Sequence, residues 1–213
     1  MADVEIRPAD RGDTRFLAWV MQAAARSHLP RGIWDVAIPD GRARLDYLDA
    51  LLGCETVSFC HHSRFLVAEI DGRQAAALSG YEPGRHVEPL DAASDEARAR
   101  LGWGEREVRD FATRMRPLVG AFPELAPERW VVEWVAALPE HRGRGLASRL
   151  LDAILERGRA CGYRLAQIAF LIGNTPAQRI YERHGFEIVD AKRDPDFEAA
   201  LGSPGIARMH RAL

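Results

Sequence analysis

Residues 130–160 read WVVEWVAALPEHRGRGLASRLLDAILERGRA, and this stretch decides the fold. Trp130–Leu138 is apolar except for Glu133 and stops at Pro139, the pattern of a buried strand. Leu146–Ala160 carries two adjacent apolar rows at helical spacing: Leu146, Leu150 and Ile154, then Ala147, Leu151 and Leu155. Arg149, Asp152, Glu156 and Arg157 lie away from those rows, so the segment is an amphipathic helix. Between strand and helix lies the loop His141–Ser148. Gly143 and Gly145 let the backbone approach a ligand closely. The unpaired amides of a first helical turn point at that ligand, and the helix dipole favours negative charge there. Arg142 and Arg144 add positive charge. The combination suits a pyrophosphate or similar polyanion; the alternative is a glycine-rich turn with solvated arginines. The loop has neither the spacing of a P-loop nor that of a dinucleotide-binding turn.

Outward from this unit, Tyr163–Gly173 reads as a second strand. Thr175–His184 reads as a short helix, with Pro176 in its first turn and Gly185 as its stop. Glu187–Ala191 and Ile206–Arg211 read as two last strands around a Pro/Gly loop. Upstream, Val4–Arg7 is a short strand. Asp13 heads a helix with Phe16, Leu17, Val20 and Ala24 on one face, and Asp40 caps another over Gly41–Leu52. Arg64–Ile70 and Gln74–Tyr81 flank Asp71-Gly72, a strong hairpin signal. Glu82–Asp91 reads as loop. Asp95 to about Ala121 is helical with a break at Gly102–Gly104, and places Val108, Phe111, Ala112, Met115 and Val119 on one stripe. The order predicts an α/β (α+β) fold: a mixed, mostly antiparallel central sheet with helices on both faces and a helical insertion after the first hairpin. No repeat or linker divides the chain, so residues 1–213 are expected to form one domain.

The composition is that of a globular protein, with 47% apolar and 28% charged residues in 213. A formal net charge of −2 argues against a nucleic-acid partner, despite the cluster Arg142, Arg144, Arg149 and Arg157. The N-terminus has no apolar core of a signal peptide, and no stretch approaches the ~20 apolar residues of a membrane span. A cytoplasmic protein without a membrane partner is expected. Cys54, Cys60 and Cys161 do not form a disulfide framework. Cys54, Cys60, His61 and His62 match no zinc spacing, so no metal is expected.

Arg142-Gly143-Arg144-Gly145-Leu146-Ala147 resembles the signature Q/R-x-x-G-x-G/A of the GNAT superfamily of acetyl-CoA-dependent N-acetyltransferases. Pro139-Glu140-His141 resembles the segment preceding it in that family. Asn174-Thr175-Pro176-Ala177 with Tyr181-Glu182-Arg183-His184-Gly185-Phe186 resembles its N-x-x-A-x-x-x-Y-x-x-x-G-F segment. Two blocks in order, with a helix and a strand between them, make a chance match improbable. The resemblance implies a GNAT-like domain with its coenzyme-binding core over residues 122–190. The strand before the loop would splay from its neighbour, with the pantetheine arm of acetyl-CoA in the gap. Ala136, Ala137 and Leu138 would bind that arm. Arg142, Gly143, Arg144, Gly145, Leu146, Ala147 and Ser148 would hold the pyrophosphate. Asn174 would contact the coenzyme arm. The implied activity is transfer of acetyl from acetyl-CoA, as co-substrate, to a primary amine of a small molecule or peptide, by direct attack. A non-catalytic acyl-CoA sensor on the same fold is the alternative. A monomer or homodimer is expected.

Tyr181 suits the donor to the departing thiolate, because a phenol is protonated at neutral pH; the alternative is a core tyrosine. Glu133, the lone carboxylate of its strand, is expected to alternate with Val131, Val135 and Ala137 on one face. Desolvation there would make it a better base. Glu82 is a second candidate. Asp35, Glu69 and Glu82 would suit a cationic amine by charge alone. Trp34, Trp103 and Trp134 either shape an acceptor pocket or pack in the core. His28, His61 and His62 read as surface residues.

Overall fold

The structure is a computed structural model that describes residues 4–213. In chain order its elements are β1 (Val4–Pro8), α1 (Thr14–Arg26), α2 (Ile33–Ala37), α3 (Gly41–Leu52), β2 (Phe65–Ile70) and β3 (Arg73–Tyr81). Then come α4 (Pro83–His86), α5 (Leu90–Arg100), α6 (Glu105–Met115), β4 (Trp130–Ala137), α7 (Leu146–Ala160) and β5 (Leu165–Leu171). The chain ends with α8 (Thr175–Arg183), β6 (Glu187–Arg193), α9 (Pro195–Leu201) and β7 (Gly205–Ala212). The seven strands form one sheet in the order β1-β2-β3-β4-β5-β7-β6. Only β4 and β5 pair in parallel; the other pairs are antiparallel. The parallel pair follows from α7, which carries the chain back along the sheet between them.

Strand alternation sorts the side chains onto two covered faces. Leu66, Ala68, Leu78, Trp130 and Val132 pack with Leu150, Leu151 and Ile154 of α7. Phe65, Val67 and Ala77 pack with Leu17, Val20 and Met21 of α1 and Leu48 and Leu51 of α3. The expected arrangement of helices on both faces is therefore present. The hairpin is also as expected, with Asp71 at φ 50° and Gly72 at φ 71°, both left-handed as a tight two-residue turn requires. Asp40 caps α3, accepting from the Ala43 amide at 2.7 Å.

Several expectations outside the central strand–helix unit need correction. Asp13 stands at the N-cap of α1, but its side chain does not cap that helix. It accepts from Arg7 at 2.7 and 2.9 Å and from Gln74 at 2.5 Å, tying β1 to β3. Glu82–Asp91 is not loop throughout, since α4 and the start of α5 occupy it. Pro83, which discouraged a helix there, sits in a first turn where it lacks nothing. The helical pattern ends at Met115 rather than Ala121, and Val119 is half exposed. The Pro/Gly loop before β7 contains α9, capped by Asp194 on the Phe197 amide at 2.9 Å. Among the described residues no helix is long and apolar enough to cross a membrane.

Two glycines leave room for α7 to pack against the sheet. A Cβ at Gly80 would come within 2.5 Å of Ile154, and one at Gly158 within 2.7 Å of the Trp130 ring. Alanine at 158 favours an isolated helix by ~1 kcal/mol. Here Gly158→Ala is expected to destabilise instead, by about 1–3 kcal/mol from overpacking. A thermal melt should show the midpoint lower by several degrees.

Candidate active site

β4 is flanked unequally by its neighbours. β5 pairs with it only at Trp130, Val131 and Val132, opposite Ala166, Gln167 and Ile168. β3 stays with it as far as Ala136 and Ala137. Beyond Val132 the β5 side of β4 is open, while the rest of β5 pairs with β7 alone. The parallel pair therefore parts into a wedge. Backbone amides and carbonyls on that side have no strand to bond, and such groups need water or a ligand.

A bulge sharpens this. Glu133 faces Ser79 and Ala136 faces Ala77, so three steps on β4 oppose two on β3. Trp134 sits within it at φ 56°. That conformation costs a bulky side chain of order 1–3 kcal/mol. Trp134 and Val135 have no partner residue on either neighbouring strand. The extra residue also reverses the strand's parity. Trp130 and Val132 face α7 before the bulge, and Val135 and Ala137 do so after it. Trp134 and Ala136 pack toward α1 and α3. The expected face shared by Glu133, Val131, Val135 and Ala137 is thus wrong for the last two. Glu133 and Trp134, adjacent in sequence, stand on the same side of the sheet.

Burial lifts the Glu133 carboxyl from the usual carboxylate range to about 7, and the Tyr81 hydroxyl offsets part of that rise. Tyr81, opposite Val131, is the diagonal cross-strand neighbour of Glu133. Its ring stacks on Phe59 at 5.0 Å. Burial, then the Glu133 charge, pushes its phenol well above the ordinary value. Cys60, also buried, is pushed up by burial first and Glu133 second. Sequence reading missed Tyr81, because the register that sets it beside Glu133 is a tertiary fact.

Tyr181 lies on the other face, on α8, with its ring 6.2 Å from Phe170 and 6.3 Å from Phe186. Burial raises its phenol well above the ordinary range, with no hydrogen bond tempering the shift. Glu133 and Tyr181 thus sit on opposite faces of the sheet that parts between β4 and β5.

The loop of the sequence motif closes the same end. A short turn at Pro139–His141 leads to Gly143 at φ 78° and Gly145 at φ 75°. Nothing lies within 4 Å of where a Cβ would stand on either. Gly145 heads α7 with no side-chain cap and no acidic residue in the first turn. The first amide bonded back into the helix is Arg149, to the Gly145 carbonyl at 3.1 Å. The amides of Leu146, Ala147 and Ser148 therefore lack helical acceptors. Arg142 and Arg144 are exposed, and Arg142 reaches the Ala137 carbonyl at 3.4 Å, joining the loop to the end of β4. Leu138 donates instead to the Ala75 carbonyl of β3. Asn174 caps α8, accepting from the Ala177 amide at 3.2 Å, and donates its other end to the Ser27 hydroxyl. Its side chain is already committed.

The charge-based acceptor candidates are likewise committed. Asp35 pairs with Arg26 at 2.6 Å and the buried Arg44 at 3.0 Å. Glu69 pairs with Arg7 at 2.6 Å and Glu82 with Arg85 at 3.4 Å. His61 is buried rather than a surface residue, with its pKa lowered to about 4 chiefly by burial. Cys54 and Cys60 are buried free thiols, and no metal-ligand cluster of three or more occurs among the described residues.

A family model described as "Acetyltransferase (GNAT) family" matches residues 28–186. No curated protein matches the sequence. Among solved structures, an acetyltransferase is 20% identical, with 98% of each chain covered and a TM-score of 0.71. An N-acetyltransferase from Staphylococcus aureus Mu50 is 17% identical over 98% of this chain and 100% of its own, with a TM-score of 0.69. The yncA protein of Salmonella typhimurium, solved with its cofactor acetyl-CoA, is 18% identical over 100% of this chain and 95% of its own, with a TM-score of 0.53. At these identities structural likeness shows the fold alone.

Proposed function

Because the chain belongs to the GNAT acetyltransferase family, we propose that it transfers an acetyl group from acetyl-CoA to a primary amine of a small molecule or peptide by direct attack. The observation that carries this reading is the parting of β4 from β5 after Val132, beside a helix whose N-terminus is uncapped. The residues present fit the coenzyme. The free amides of Leu146, Ala147 and Ser148, with the Arg142 and Arg144 charges, suit its pyrophosphate. The strand-free edge of Ala136 and Ala137 suits the amide groups of its pantetheine arm, running in place of the missing β5 partner. Asn174 contributes through the α8 terminus it holds in place rather than through a free side chain.

Acetyl-CoA supplies a thioester carbonyl and a thiolate leaving group. Glu133, near neutrality by burial, takes the proton of the attacking amine. The amides of Trp134 and Val135, which have no register partner on either neighbouring strand, would donate to the carbonyl oxygen as negative charge grows on it. Tyr181, on the far face of the parting, keeps its proton until the sulfur leaves and then gives it up. A thiolate is a good leaving group, so Tyr181→Phe is expected to lower kcat only about 10- to 100-fold, at or below the low end for acid catalysis. Steady-state rates at saturating substrates check this, and an unchanged kcat would make Tyr181 a core residue. The reading as a whole is tested by following thiol release from acetyl-CoA over a panel of amines. Coenzyme binding with no release on any amine would leave a non-catalytic acyl-CoA-binding module.

A further inference from the structure

Six buried side-chain nitrogen or oxygen atoms lack a hydrogen-bond partner among the described residues, and two of them belong to rings that pack together on the Glu133 side of the sheet. They are the indole Nε1 of Trp34 and the indole Nε1 of Trp134. Trp34 is 8% exposed. The two indole rings lie 6.0 Å apart, one from α2 and one from the bulge itself. A buried donor left unpaired costs about 1–3 kcal/mol, and Trp134 carries backbone strain besides. Burial with no partner is ordinarily selected against. The two indole donors, one of them on the residue next to Glu133, lack only an acceptor that arrives with a ligand.

We infer that Trp34 and Trp134 recognise the acceptor, and that it is a monoamine bearing a neutral hydrogen-bond-accepting oxygen on a flat apolar body, such as an α-amino amide. This rests on the acetyltransferase reading. Four features define the class. The unpaired groups are neutral indole N–H donors, which want an oxygen. The cation paired with Asp35, next to Trp34, is not free to balance a carboxylate: Arg44 is spent on Asp35, Gln22 and the Ile38 carbonyl. Of Asp35, Glu69, Glu82 and Glu133, only Glu133 has no cationic partner, so the site offers one place for an amine rather than the several a polyamine needs. The body faces aromatic rings, since Tyr47 lies 6.2 Å from Trp34 and 5.2 Å from Trp103.

The test compares four acceptors with acetyl-CoA: phenylalaninamide, phenethylamine, phenylalanine and spermidine. Phenylalaninamide is expected to have the highest kcat/KM. Trp34→Phe and Trp134→Phe keep a ring and delete the N–H. Each should lower kcat/KM about 3- to 10-fold more for phenylalaninamide than for phenethylamine. Comparing variant with wild type on one substrate cancels the difference in amine basicity. Equal losses on both amines, or preference for spermidine or phenylalanine, overturn the inference. Turnover of none of the four also overturns it. An acetyl-CoA binding titration then shows whether the enzyme reading falls with it: retained binding, with thiol release on some other amine, spares that reading.

Discussion

Replacing Glu133 with glutamine is expected to lower kcat/KM by about 10²–10⁴, the range for removal of a general base. Glutamine keeps the shape and cannot take a proton. The pH profile separates this from a packing defect. In the wild type the rate should climb as pH rises through about 7, where the buried carboxyl ionises. In Glu133→Gln that rise should vanish, leaving only the titration of the amine itself. Stability moves the other way. A carboxyl whose pKa is raised in the folded state gives stability that is lost as pH rises through the folded value. The variant should therefore melt higher than the wild type at pH 8 and close to it at pH 5. A stable variant with a flat, low rate locates the base. An unaltered profile would move the base elsewhere.

The second large effect is expected at Gly145. Gly145→Asp places a carboxylate at the bare N-terminus of α7. Folding should tolerate it. The site is left-handed, which aspartate adopts more readily than most residues, and a negative charge there favours the helix by 0.3–1 kcal/mol. The coenzyme should not tolerate it. A unit charge ~5 Å from one phosphate charge, at an effective dielectric of ~20, opposes binding by ~3 kcal/mol. The KM for acetyl-CoA is thus expected to rise about 100-fold, with kcat at saturation much less affected. Measuring KM and kcat separately distinguishes this from general damage. An unchanged KM would show that the pyrophosphate binds elsewhere.

What the sequence made legible follows from range of interaction. The Trp130–Leu138 strand, the α7 helix and the glycines between them are local patterns, and they stand in the structure within a residue. Glu133 was legible as an odd carboxylate in an apolar strand. Its face was not. The bulge at Trp134 depends on the pairing with β3, and it reverses every later side chain on β4. Tyr81 was invisible for the same reason. Asp35 looked like a candidate for an amine because a free and a paired carboxylate are spelled alike; Arg44, nine residues on, consumes it. α9 was hidden by Pro195 and Gly202, which are its first turn and its stop rather than signs of loop.

The account rests on one claim, that the parting of β4 and β5 and the α7 N-terminus together hold acetyl-CoA. A calorimetric titration of the purified chain with acetyl-CoA, repeated on Gly145→Asp, tests it most directly. Saturable one-to-one binding to the native chain, weakened about 100-fold in the variant, is the result the account predicts. No binding at millimolar coenzyme, or binding equally strong in both proteins, would contradict it.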